Sequence, residues 1–248
     1  MSSVLGRTLR SFGIDVVRYP YADRTQLRST LAKVFDALKI NCVLDVGANE
    51  GQYGRLLRDM GFKGWILSFE PISSVLPQLM KVADRDGKWR VFPYALGRAK
   101  TIAPINVMNR SVFSSFLTPN PVGSAQFGQQ NTVLRTESVN VNRLDDVFES
   151  CIANIDNPRI YLKLDTQGSD ADVFAGAEGA LGRMSALQTE ICFHKIYFGM
   201  RDVFDVLPSF IEKGFEVVDC VPVTRKENGL SAIEMDCIMV HRNVKSEP

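Results

Sequence analysis

The sequence has little histidine, almost no net charge and no long apolar run. Among its 248 residues only His194 and His241 are histidines, so a histidine base has two candidates at most. The formal net charge is +1. That excludes a broad electrostatic pull toward nucleic acid or an anionic membrane and favours small-molecule or glycan chemistry. No stretch of about 18 apolar residues is present, so no membrane span is expected. The opening "MSSVLGRTLRSFG" has no continuous apolar core and does not read as a signal peptide. It reads as a packed or frayed terminus rather than an amphipathic arm. None of the five cysteines, Cys42, Cys151, Cys192, Cys220 and Cys237, falls in a CxxC pair. They read as reduced, buried thiols of a cytoplasmic protein.

What is present is an alternation of strands and helices. Residues 23–39 space Leu27, Leu31, Val34, Phe35 and Leu38 as a helix that Asp23 can cap. "CVLDV" is a short buried strand, and Tyr53, Leu56, Leu57 and Met60 mark the next helix. "WILSFE" follows, then "SSVLPQLMKVAD", helical but interrupted at Pro77, then "WRVFPYAL" as a third strand. This β-α-β-α-β order predicts a parallel, doubly wound α/β sheet. "TIAPINVM" and "TESVNV" read as strands around a polar segment, residues 109–131, which is a lid candidate. The alternation resumes with "RLDDVFESC", "RIYLKLD", "SDADVFAGAEGAL", "ALQTEICF" and "DVFDVLPSFIEK" as helix, strand, helix, strand and helix. "FEVVDCVPV" and "AIEMDCIMVH" then close the chain as an antiparallel hairpin across a turn containing Asn228-Gly229. No linker interrupts this. The reading is one domain over 41–248, with 1–40 an arm and a helix packed on it.

The stretch "VLDVGANEGQYGRLL" carries the chemistry. A glycine turn after a first strand lets backbone approach a ligand, and the following helix offers its N-terminal amides. Dinucleotide sites write that turn G-x-G-x-x-G. Here Gly47, Asn49 and Gly51 alternate after Asp45. An acid at this place repels a pyrophosphate but suits a ligand with an ammonium group and a sulfonium, namely S-adenosylmethionine. Glu70 ends the second strand, where an acid accepts both ribose hydroxyls. Pro71 then releases the chain from the sheet. A nicotinamide-dependent oxidoreductase and a non-catalytic scaffold are the competing readings.

In order along the chain, "VLDVGANEGQYG", "ILSFEP", "VFPYALG", "NRSVFSSFL", "VNVNRLDDV", "YLKLDTQGSDADVFAGAEGAL" and "TEICF" resemble the FkbM-family methyltransferases. The resemblance spans about residues 41–240. It implies a class I methyltransferase (Rossmann-like) fold: a mostly parallel seven-stranded sheet, its last strand antiparallel, with helices on both faces. It also implies O-methylation of a hydroxyl on a sugar, glycolipid or related natural product, with S-adenosylmethionine as methyl donor. By that resemblance Asp45, Gly47, Asn49 and Gly51 surround the methionine end. Glu70 holds the ribose, Ala95 and Leu96 edge the adenine, Pro71 counts among the cofactor-binding residues, and Asp165 lies beside the reacting methyl. Ser114 and Ser115 match a serine pair near cofactor and substrate. After Asp165 the family's glutamate-glycine-aromatic run is replaced by Thr166-Gln167-Gly168-Ser169, a departure on the substrate side.

Methyl transfer to a hydroxyl needs the oxygen held in line and its proton removed. His194, just past the strand that carries Glu190, lies on the edge where such sheets bind ligands. His241 reads as a solvated strand end. Asp165 and Glu190 have two readings. They act as base and orienting acid, with His194 a further candidate base, or they hold a magnesium ion that acidifies the hydroxyl. Lys163 would neutralise Asp165 or Glu190, or sit at the rim; Glu190 would otherwise pair with Lys163 or Arg201. Phe113, Phe116 and Phe127 would cover the site or pack as core.

Overall fold

The computed structural model describes residues 22–227 and 229–243. The N-terminal arm and Asn228 of the expected hairpin turn lie outside the described residues. The main elements in chain order are α1 (Ala22–Ala37), β1 (Cys42–Val46), α2 (Gln52–Asp59), β2 (Trp65–Phe69), α3 (Leu76–Ala83), β3 (Trp89–Phe92), β4 (Ala95–Leu96), β5 (Thr101–Met108), α4 (Pro121–Phe127), β6 (Val133–Asn142), α5 (Leu144–Cys151), β7 (Ile160–Leu164), α6 (Asp170–Ala175), β8 (Met184–Cys192), α7 (Val203–Glu212), β9 (Phe215–Arg225) and β10 (Ala232–His241).

Seven strands form the main sheet in the order β3-β2-β1-β7-β8-β10-β9. The first five in that order pair in parallel, and β10 runs antiparallel to both β8 and β9. This is the class I methyltransferase arrangement. The order reverses between β1 and β7, so their carboxyl ends open a crevice.

All of β1 is buried, as a central strand covered on both faces must be. Successive side chains point to opposite faces. Val43 packs with Leu31, Val34 and Leu38 of α1, Leu57 of α2 and Leu79 of α3. Leu44 packs on the other face with Phe148 of α5, Phe174 of α6 and Phe210 of α7. Each such side chain contributes about 1.5–3 kcal/mol by leaving water.

Several elements differ from their sequence reading. The run read as one third strand is two: β3 ends at Phe92, and β4 belongs to a second sheet of order β4-β6-β5. Pro93 has no N–H to continue the ladder, and the chain turns there. Pro77 does not interrupt α3 but opens it, within the first turn, where an N–H has no helical partner. Asp23 lies inside α1, which begins at Ala22. The helix read from residue 169 onward stops at Ala175, before the weak helix formers Gly176 and Gly179. The polar segment 109–131 holds α4 between short 3-10 turns, Ser111–Phe113 and Gly128–Asn131. All five cysteines are free, and only Cys220 is not fully buried. No helix among the described residues is long and apolar enough to cross a membrane.

His241 is not a solvated strand end. It is 6% exposed and sits edge-on to Phe215, ring centroids 5.0 Å apart. The last strand enters the sheet between β8 and β9, so its end is covered from both sides.

Candidate active site

The turn after β1 is shaped by close backbone approach. Gly47 has φ +79°, and a Cβ there would lie 2.0 Å from the Asp165 carbonyl oxygen. No other residue type fits. Asn49 adopts φ +48°, a left-handed conformation that asparagine tolerates. Its Oδ1 accepts from the Glu50 N–H (2.9 Å), Gln52 Nε2 (3.1 Å) and Ser111 Oγ (3.1 Å). The last bond ties the turn to the polar 109–131 segment.

Sheet register sets Asp45 beside Lys163 and Lys163 beside Gln188 on three neighbouring strands. Asp45 is completely buried. Its Oδ2 accepts from Ser68 Oγ at 3.2 Å, which in turn accepts from Trp89 Nε1 at 3.0 Å. Lys163 Nζ lies 3.2 Å from Asp45 Oδ1 and 3.1 Å from Asp165 Oδ2. Lys163 is therefore neither a rim residue nor a partner of Glu190. Burial works against its charge, but Asp165 and Asp45 outweigh that and raise its pKa. The ammonium also faces the Tyr53 ring at 5.1 Å.

Glu70 is 3% exposed. Its two oxygens accept the backbone N–H groups of Asn49 and Ile72, each at 2.8 Å. Burial pushes its carboxyl up to about 7, against the lowering effect of those bonds.

A cavity of about 600 Å³ opens above these groups. Gly47, Asn49, Glu70, Pro71, Ala95, Leu96, Ser114 and Asp165 all line it. Its apolar wall includes Phe69, Ile72, Ile105, Val112 and Phe116. The structure therefore brings most of the sequence candidates together. Asp45, Gly51, Ser115, Glu190 and His194 do not line it. Asp45 acts from beneath, through Lys163. Gly51, at φ +81°, lies against Leu79 and Trp89. Ser115 Oγ donates to the Gln167 carbonyl at 2.6 Å. His194 sits half-buried on the loop after β8, its carbonyl accepting from Cys192 Sγ. Phe113 and Phe127 pack on each other, 4.7 Å between centroids.

Gln167 organises the opposite side of the cavity. Its Nε2 donates to Asp165 Oδ1 (3.3 Å) and Glu190 Oε2 (3.0 Å), and its Oε1 accepts from the Tyr197 hydroxyl (3.1 Å). Glu190 is thus held by Gln167, while Arg201 approaches Asp172 instead, at 4.0 Å. Burial and the nearby Glu234, Asp165 and Asp236 carboxylates push Glu190 well above the usual carboxylate range. A magnesium ion does not fit Asp165 and Glu190: Lys163 and Gln167 already occupy Asp165, and Gln167 occupies Glu190. Among the described residues no three His, Cys, Asp or Glu side chains converge to hold a metal.

Sequence reasoning did not single out Tyr53, Gln188 and Asp236, which also line the cavity. Their strand and helix periodicities reveal only that they are interior. Their meeting depends on the order in which β8 and β10 enter the sheet.

A sequence profile described as the methyltransferase FkbM domain matches residues 45–217. The chain belongs to the FkbM methyltransferase family. Its methyl donor is S-adenosylmethionine. The cavity suits that group, with the Gly47 cradle, a buried carboxylate at Glu70 and an apolar wall. Family membership displaces the nicotinamide reading. A curated relative, the 2-O-methyltransferase NoeI of Sinorhizobium fredii (strain NBRC 101917 / NGR234), is 25% identical over 180 residues, covering 68% of this chain and 71% of NoeI. Two solved structures similar to the FkbM chain were determined with S-adenosylmethionine bound. Fibrillarin from Aeropyrum pernix is 11% identical, with TM-score 0.46, over 81% of this chain and 66% of fibrillarin. Magnesium protoporphyrin IX methyltransferase (ChlM) from Synechocystis PCC 6803 is 11% identical, with TM-score 0.45, over 97% of this chain and 92% of ChlM.

Proposed function

We propose that this FkbM-family protein methylates oxygen, taking as acceptor a hydroxyl of a sugar, a glycolipid or a related natural product. One observation carries the reading: Asp165, its side chain 40% exposed and fixed by Lys163, faces the same cavity as Glu70. The donor's ribose and a carboxylate for the acceptor hydroxyl are thereby served in one enclosure. The name of the relative NoeI, a 2-O-methyltransferase, supports oxygen as the acceptor atom. The near-neutral charge of the chain supports a small acceptor over nucleic acid.

Bound S-adenosylmethionine supplies an electrophilic methyl on a positively charged sulfur. Gly47 and Asn49 receive its methionine end, Glu70 its ribose hydroxyls, and Pro71, Ala95 and Leu96 its adenine edge. Asp45 and Lys163 fix Asp165 from below. Asp165 accepts a hydrogen bond from a hydroxyl of the acceptor beside the reacting one and so aims the reacting oxygen. Ser115 and Glu190 act at one remove, through Gln167. His194, outside the cavity, has no part in the chemistry.

The test is methyl transfer from labelled S-adenosylmethionine to a panel of glycans and glycolipids, with mass spectrometry of extracts from a deletion strain. The expected result is an ether methyl on a hydroxyl oxygen and a deletion-strain product lighter by one methyl. Label recovered only on nitrogen or carbon would overturn the reading. A protein that binds no S-adenosylhomocysteine would be a scaffold.

A further inference from the structure

We propose that Asp236 is the general base that takes the proton of the acceptor hydroxyl, and that Gln188 positions it for that task. The inference rests on the O-methylation reading above and names a residue which that reading leaves out. The cavity continues past Asp165 to Gln188 and Asp236. Asp236 lies directly across from Glu190 in the β8–β10 register, and Gln188 lies two residues before Glu190, on the same face.

Gln188 is 2% exposed. Its Oε1 accepts two hydroxyls, Tyr53 at 2.7 Å and Tyr161 at 3.0 Å. Those two donors leave only the amide NH2 to offer. The amide lies near Asp236 and lowers that carboxyl's proton affinity. An ionised carboxylate only accepts, so this amide has one orientation that satisfies all its neighbours. A buried polar network of this kind is costly to bury, and this one opens onto the cavity at Gln188 and Asp236.

The other carboxylates are engaged. Asp165 is paired with Lys163 and bonded by Gln167. Glu70 holds two backbone amides. Asp236 has no ion-pair partner among the described residues. Burial first, then the Asp165 and Asp170 carboxylates, raise it to about 6, while Gln188 and Lys163 hold it down. The Glu190 and Glu234 carboxyls also face it, as do the Tyr53 and Tyr161 hydroxyls, which burial keeps neutral. A base near neutrality is ionised at working pH and still takes a proton well. In the transfer, the hydroxyl proton passes to Asp236 as the new O–C bond forms. The S–C bond breaks with its electron pair going to sulfur, and Asp236 then releases the proton to water.

The experiment compares wild type, Asp236→Asn and Gln188→Leu. In Asp236→Asn, kcat should fall by about 100-fold or more, with S-adenosylhomocysteine affinity by calorimetry within about twofold of wild type. Carbon-13 NMR of aspartate-labelled, ligand-free protein should show a carboxyl titrating near pH 6 that disappears in this variant. In Gln188→Leu that carboxyl, and with it the acid limb of kcat, should move to higher pH, because the amide that lowers it is gone. A passive packing role would move neither. Wild-type turnover in Asp236→Asn, or an acid limb unmoved in Gln188→Leu, overturns this proposal alone. Failure of the wild type on every hydroxyl acceptor overturns the O-methylation reading and this proposal with it.

Discussion

At one end of the cavity, the turn from Gly47 to Gly51 and the pair Glu70-Pro71 come from two short stretches that each follow a strand. At the other end, Asp165 lies just past β7, Gln188 on β8 and Asp236 on β10, and they meet only through sheet register. The first end is a local device, set by backbone conformation and therefore written as glycine and asparagine. The second is a long-range device, set by which strand lies beside which. Lys163 joins them, one ammonium bridging Asp45 under the turn and Asp165 at the far side.

The largest break in that comparison is at the joint. Lys163→Met keeps the length of the side chain and leaves Asp45 buried without its cation. Removing one partner of a buried pair costs about 3–5 kcal/mol, and denaturant unfolding should read that loss. Lys163 has a raised pKa, so its contribution is complete below the unfolded lysine value and fades only as pH rises past it. The deficit should therefore be flat between about pH 6 and 9. Next in size is Gly47→Ala. A Cβ there meets the Asp165 carbonyl at 2.0 Å and must also adopt φ +79°. A loss of about 3 kcal/mol, together with loss of S-adenosylhomocysteine binding, is expected. A variant with normal melting and normal binding would mean that the turn does not need its glycine.

The same contrast explains what could be read from sequence. Leu31, Val34 and Leu38 at helical spacing, and the fully buried "CVLDV", fixed helix and strand types because burial imposes a period. The acid-glycine-asparagine-glycine turn was readable because positive φ restricts residue choice. The split of the third strand at Pro93 was masked by apolar residues on both sides, which periodicity joins into one run. Lys163 was ambiguous because its partners lie on β1 and just past β7, and sequence does not say how close they come. A chain-terminal strand looks like a sheet edge in sequence, and only the position of β10 between β8 and β9 shows that His241 is covered. Gln188 and Asp236 carry no local signature.

Glu70 sharpens the comparison through pH. Its carboxyl, raised to about 7 by burial, binds a proton more tightly in the fold than in the unfolded chain. Stability from this group is therefore highest in acid and is lost as pH rises from the unfolded value toward about 7. Ligand binding runs the other way, because two ribose hydroxyls need an ionised acceptor. S-adenosylhomocysteine affinity should weaken by about tenfold per pH unit below the folded value, and Glu70→Gln should abolish that slope. An affinity independent of pH between about 5 and 8 would remove Glu70 from the ribose.

The smallest expected effect tests whether the two ends are coupled at all. Asn49 sits in the glycine turn after β1, yet its Oδ1 accepts from Ser111 in the 109–131 segment, whose Val112, Ser114 and Phe116 line the same cavity. Two substitutions separate its roles. Asn49→Gly keeps the left-handed backbone and removes the side-chain bonds; Asn49→Ala removes the bonds and adds a left-handed penalty of about 1–2 kcal/mol. If the bond to Ser111 transmits cofactor occupancy to the 109–131 segment, both variants should raise the acceptor KM by a similar factor of about 3–10, the scale of one hydrogen bond. Only Asn49→Ala should lose marked stability. If KM follows stability instead, rising in Asn49→Ala and not in Asn49→Gly, the turn matters only as backbone, and the two ends meet through Lys163 alone.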